Sequence, residues 1–290
     1  MSKPLKALSY AIGAFSGLLV LAAIALSLFL DVNAYKPRFE AAVSDRMGME
    51  VKVGGPLAID FFPNLLVTLK DVHVRNRGTE VISARAARVG VEFLPLLHKE
   101  VRIRHIALEH PSLSIEKGSD GRFNFERRVQ ARGPLPDLNL GKVSFSDGTF
   151  HYLDKPSGEG FEAADCSLDA SRVQLTGRKG PGIMKYLSLT AEIVCGEART
   201  KNRIASDLKL TVAGQHGVFD LKPLTLRAFA GQGSGSIRAD FTGAVPRYQV
   251  RYSLSQLHIG EFLKTLSPKI RAEGSMDFSA HLSMQGKTMN

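Results

Sequence analysis

Eight histidines, two cysteines and several serine and aspartate groups are the side chains of this chain able to support chemistry. His105 and His110 lack the HExxH spacing that puts two imidazoles and a carboxylate on one helical face around zinc. His73 and His151 each alternate with apolar neighbours, which places them on the polar side of a strand. Ser144, Ser146 and Ser188 stand outside any GxSxG elbow. Asp165 and Asp169 would share a helical face, but their surroundings alternate as a strand does, so they read as solvated strand charges. Gly286-Lys287-Thr288 resembles the end of a phosphate-binding loop, yet His281 occupies the position where that loop needs glycine. Gly231-Gln232-Gly233-Ser234-Gly235 lacks dinucleotide-site spacing and context, and reads as a turn or bulge. No nucleophile–base set, metal site or cofactor site emerges, so the chain reads as a non-enzyme.

Cys166 and Cys195 lie in separate strand-like segments. They do not form a CxxC redox motif, and two cysteines alone make no zinc site. A structural disulfide is the favoured reading, with two buried thiols as the alternative. Titration of thiols in the unfolded, unreduced protein separates them.

The elements that would carry these groups begin with residues 8–30, LSYAIGAFSGLLVLAAIALSLFL, an apolar run of 23 residues without a charge. At about 1.5 Å per residue such a helix spans roughly 35 Å, enough for a hydrocarbon core of about 30 Å. Lys3 and Lys6 precede it and Asp31 closes it, which keeps residues 1–7 in the cytoplasm and the body outside. A cleaved signal peptide ending near Val32-Asn33-Ala34 is the competing reading, but its apolar core would be about 7–15 residues.

The net charge of +10 marks a generally basic surface; attraction to anionic headgroups is the functional alternative. Nothing interleaves aromatic and basic residues as a nucleic-acid surface does. Residues 31–48 predict a short amphipathic helix lying against the body or the membrane face, with Asn33 as N-cap, Tyr35, Phe39, Val43 and Met47 on one stripe, and Gly48 as its stop. Pro37 makes its first turn irregular or delays it.

Period-2 alternation then dominates. Residues 49–129 form a first β segment, 130–137 (QARGPLPD) a linker, and 138–290 a second β segment. Val143-Ser144-Phe145, Ser146-Asp147-Gly148 and Phe150-His151-Tyr152 predict a hairpin. Strands are expected at 166–175, 187–195, 204–212, 218–227, 234–242, 247–254 and 275–282, with a short helix at 258–266. Turn-length links predict an antiparallel meander, so the fold class is mainly β: an anchor helix, then an elongated, curved, mostly antiparallel sheet with one or two short helices.

Three stretches and their order resemble the AsmA family of bacterial envelope proteins. They are DVNAYKPRFEAAVSDRMGMEVKVGGPLAIDFFPNLLVTLKDVHV, VRIRHIALEHPSLSIEKGSDGRFNFE and GVFDLKPLTLRAFAGQGSGSIRADFTGAVPRYQVRYSLSQLHIGEFL. The resemblance implies an inner-membrane protein with a periplasmic body that contributes to outer-membrane biogenesis and carries phospholipid along an apolar groove. Family members are usually longer, and would continue beyond GSMDFSAHLSMQGK. On this reading Val101 and Ile103 line the groove, while Arg102, Arg104 and Arg238 contact headgroups. The expected partners are phospholipid, the inner membrane and other envelope proteins. The alternative is a closed β sandwich that docks an envelope protein through a strand edge.

Overall fold

The computed structural model describes residues 32–60, 65–92, 95, 98, 102–125, 138–175, 183–201, 203–265, 267, 269 and 271–286. The 8–30 run, the 130–137 linker and Val101 lie outside them. Among the described residues no helix is long and apolar enough to cross a membrane.

A 3-10 turn at Val32–Tyr35 leads into helix α1, Lys36–Met47. Gly48 ends it at φ 68°, a conformation glycine adopts without a Cβ penalty. Pro37 sits in the first turn, where no amide hydrogen is needed. The expected N-cap is corrected: the helix starts after Tyr35, and the Asn33 carboxamide oxygen instead accepts the Leu57 amide at 2.8 Å.

Among the described residues fourteen strands follow in one sheet. They are β1 Glu50–Val53, β2 Leu57–Asp60, β3 Leu65–Asn76, β4 Thr79–Val91, β5 Ile103–Glu109, β6 Ser112–Lys117 and β7 Leu138–Asp154. Then come β8 Glu159–Leu175, β9 Leu187–Thr200, β10 Ile204–Gln215, β11 Val218–Ala228, β12 Gly231–Asp240, β13 Arg247–His258 and β14 Ser275–Gln285. A second helix, α2 at Ile259–Lys264, falls inside the predicted 258–266. The order runs β1-β3-β4-β5-β7 and then consecutively to β14; β2 pairs with β3, and β6 with β4 and β7. Nearly all pairs are antiparallel, as expected.

Two expectations are corrected. β5 and β6 are collinear pieces of one line, broken at His110-Pro111, and both pair with β7 in parallel. The chain between Lys117 and Leu138 is long enough to return to the same end, so the meander rule for turn-length links does not apply there. The predicted hairpin at Ser146-Asp147-Gly148 is a bulge inside β7, with Asp147 at φ 53°. The glycine run 231–235 is also corrected: it lies within β12 in regular pairing with β11 and β13, neither a turn nor a bulge.

Asp147 belongs to a line of irregularities crossing the sheet. Asp71 in β3, His110 between β5 and β6, Asp165 in β8 and Asp207 in β10 also have positive φ, between 46° and 59°. The register sets Asp165 beside Gly196 and Gly196 beside Asp207. An added residue in the left-handed region shifts strand alternation by one, and short polar Asp tolerates that conformation. Val143 and Phe145 before the bulge therefore share a face with Phe150 and Tyr152 after it. Each phase shift keeps apolar residues on one side of the sheet.

α1 covers the β1 edge. Ser44 Oγ accepts the Val51 amide and Glu40 Oε1 the Val53 amide, both at 2.8 Å, while Lys36 Nζ donates to the Gly55 carbonyl at 3.1 Å. These side chains, four apart, form one helical stripe and satisfy donors and an acceptor that the edge would leave open. Among the described residues the outer side of β14 has no strand partner.

Candidate functional site

One apolar row can be followed across the whole sheet by register. It starts at Ile59, Val67, Val89 and Ile106 on β2 to β5. It continues through Val143, Ala170, Ala191 and Val212 on β7 to β10. It ends with Leu221, Ile237, Val250 and Leu282 on β11 to β14. A second row beside it joins Leu57, Leu69, Ala87, Leu108, Phe145 and Leu168 to Ile193, Leu210, Leu224, Gly235, Tyr252 and Ala280. Neither row contains a charged side chain. The opposite face is polar: Ser144, Asp169, Glu192 and Thr211 lie in register there, and Lys142 pairs with Asp169 at 2.6 Å.

Two buried clusters sit on the apolar face. One holds Val53, Leu57, Leu69, Val72 and Ala87, from β1 to β4, with Leu108 of β5 against it. The other holds Ala163, Cys166 and Cys195, with Phe145, Phe150 and Leu208 against it. Each draws on strands that neighbour one another in the sheet. Toward β14 the face opens to solvent: Phe278 and Leu282 are each 52% exposed. Large apolar side chains presented together on one face mark a surface built for apolar contact.

Cys166 and Cys195 face each other across β8 and β9 with their sulfurs bonded at 2.08 Å. They flank the bulge line at Asp165 and Gly196 and lie on the apolar face. On β12, Gly233 and Gly235 leave room for the Tyr252 ring, which a Cβ at either position would meet. The Tyr252 hydroxyl is buried without a hydrogen-bond partner among the described residues, and burial raises its pKa.

The expected site residues are dispersed. Ile103 is half-buried and pairs with Val91, one row outward from Ile106. Arg102 and Arg104 are exposed at the same end of β5. Arg238 lies on the polar face, where its Nη1 donates to both oxygens of Asp220 at 2.8 Å. Its charge is thus matched within the sheet. The sequence reading missed the rows themselves. Their local signal is the period-2 alternation within each strand, but which residues share a row depends on the strand register.

The densest titratable cluster is Asp71, His73 and Glu80. His73 Nδ1 is in hydrogen-bond contact with Glu80 Oε2 at 2.8 Å and Nε2 with Asp71 Oδ1 at 3.0 Å. The Glu80 hydrogen bond raises the His73 pKa, partial burial opposes it, and Asp71 adds to the rise. Glu80 is lowered in turn, chiefly by His73. Two carboxylates on one ring favour its protonated form, so the cluster acts as an electrostatic clamp between β3 and β4. Among the described residues no three His, Cys, Asp or Glu side chains are grouped to hold a metal ion.

A tall single sheet of meandering strands, charged on one side and apolar on the other, defines the class: an extended β scaffold with an apolar face. The AsmA family model matches residues 1–179, well over half of the chain, and the protein belongs to that family. No curated protein matches it. Family and sheet together fit envelope biogenesis or lipid transport.

Proposed function

We propose that this protein is tethered to the bacterial inner membrane by residues 8–30, with its body in the periplasm, and that the sheet shields phospholipid acyl chains in transit between membranes. The carrying observation is the pair of unbroken apolar rows from β2 to β14. Moving about 30 acyl methylenes through water costs roughly 25 kcal/mol, at about 0.8 kcal/mol each. Apolar side chains at every step remove most of that cost, while headgroups stay hydrated at the strand ends. The action is passive: binding along the face, with no bond made or broken. On this reading Arg102 and Arg104, exposed at the start of β5, meet anionic headgroups there.

A charge placed in a row tests this reading. Protein purified from membranes should carry phospholipid; Leu210→Glu should lose most of it, and Thr211→Glu, on the polar face, should keep it. Equal lipid in both variants, with matching circular dichroism, overturns the proposal.

A second reading rests on a different observation. The outer side of β14 has no strand partner among the described residues, whereas α1 covers the β1 edge. On that reading the sheet docks another envelope protein by strand addition. Cross-links from Ser279 or His281 to protein, with none to lipid from Leu210, would favour it.

A further inference from the structure

α1 has two working faces. The stripe of Lys36, Glu40 and Ser44 binds the β1 edge. Tyr35 and Phe39 form a second stripe about a quarter-turn away, at 55% and 37% exposed. Ala42 continues that stripe and Arg38 flanks it, both exposed. Aromatic rings left in water beside a helix already committed to its sheet need another explanation. The apolar run ends at Leu30, two residues before the described chain begins at Val32 and five before Tyr35. Five residues span at most about 18 Å, so a bilayer-crossing run leaves Tyr35 within reach of the headgroup layer. Tyr rings and Arg side chains are favoured at that depth: apolar bodies enter the acyl boundary while polar tips stay wet.

We infer that the Tyr35–Phe39 stripe of α1 rests in the headgroup region of the bilayer that carries the anchor. α1 is then a bracket between membrane and sheet. One stripe holds the β1 edge and the other holds the lipid surface. The edge carrying Val51, Val53 and Leu57 therefore lies next to the bilayer, and the apolar rows begin there. This inference rests on the tether proposed above, and the test separates the two.

The chain contains no tryptophan, so one introduced residue is a unique fluorophore. Full-length Phe39→Trp and Tyr35→Trp are reconstituted in phosphatidylcholine–phosphatidylglycerol vesicles containing lipid brominated along the acyl chain. Both should emit blue-shifted light and lose most of it to bromine quenching. Ala41→Trp, on another side of α1, and Gln249→Trp, on the polar face of β13, should emit as in water and stay unquenched. Circular dichroism confirms the sheet in each variant. Aqueous, unquenched emission from Phe39→Trp in protein that floats with the vesicles overturns the inference alone. Protein that does not float at all overturns the tether instead.

Discussion

Asp71, His73 and Glu80 show how a charge pattern acts at the scale of single residues. The clamp joins β3 to β4 beside the Asp71 bulge, with Lys52 of β1 opposite His73, and Arg75 3.7 Å from Glu80. His73 is raised from 6.5, so its contribution is complete below 6.5 and fades as pH rises through its folded value. Glu80 is lowered from 4.5, so its contribution is complete above 4.5 and fades as pH falls through its folded value. The clamp is therefore strongest between those two ordinary values. We predict that the melting temperature of the wild type declines on the alkaline side of this window relative to His73→Asn, whose profile is flatter there. Identical pH profiles would remove the clamp. The sequence alone placed His73 on a strand's polar face, which holds. The identity of Glu80 as its partner depends on the β3–β4 register, which no local pattern supplies. Asn33 makes the same point: a good cap residue in sequence, it is drawn instead to the Leu57 amide.

Strands and helices were largely legible, because period-2 alternation reports directly on a sheet with one apolar side. α2 and the glycine stop of α1 were legible for similarly local reasons. Ser146-Asp147-Gly148 was not, since a turn and a bulge use the same residue types and both reset the alternation. Only the pairing of β7 with β8 along both halves tells them apart. The bulges make a distinct prediction. Asp165 sits at φ 53°, so Asp165→Val should cost about 1–3 kcal/mol in denaturant unfolding, while Asp165→Gly should be near neutral. Equal losses would mean that the aspartate side chain, not the backbone, matters at this bulge. The adjoining Cys166–Cys195 bond closes a loop of sequence separation 29. In the chain-entropy model, replacing both cysteines by serine should lower unfolding free energy by about 3–4 kcal/mol. An unchanged denaturation midpoint would contradict that estimate.

At the scale of the whole molecule, no single motif carries the function; a register does. Twelve strands present apolar atoms in line because the register pairs like position with like from strand to strand, and because small residues such as Ala170, Ala191 and Gly235 fill the rows where Leu or Phe stand alongside. The charged face opposite, with Lys142–Asp169 and Arg238–Asp220 pairs, keeps the other side in water. The most direct test is a scan with a photoreactive residue at consecutive positions, Lys209 to Ala213 on β10 and Phe278 to Leu282 on β14, in living cells. The account predicts phospholipid adducts at Leu210, Val212, Phe278, Ala280 and Leu282, and none at the polar positions between them. Lipid adducts without that two-residue period, or none on either face, would contradict it.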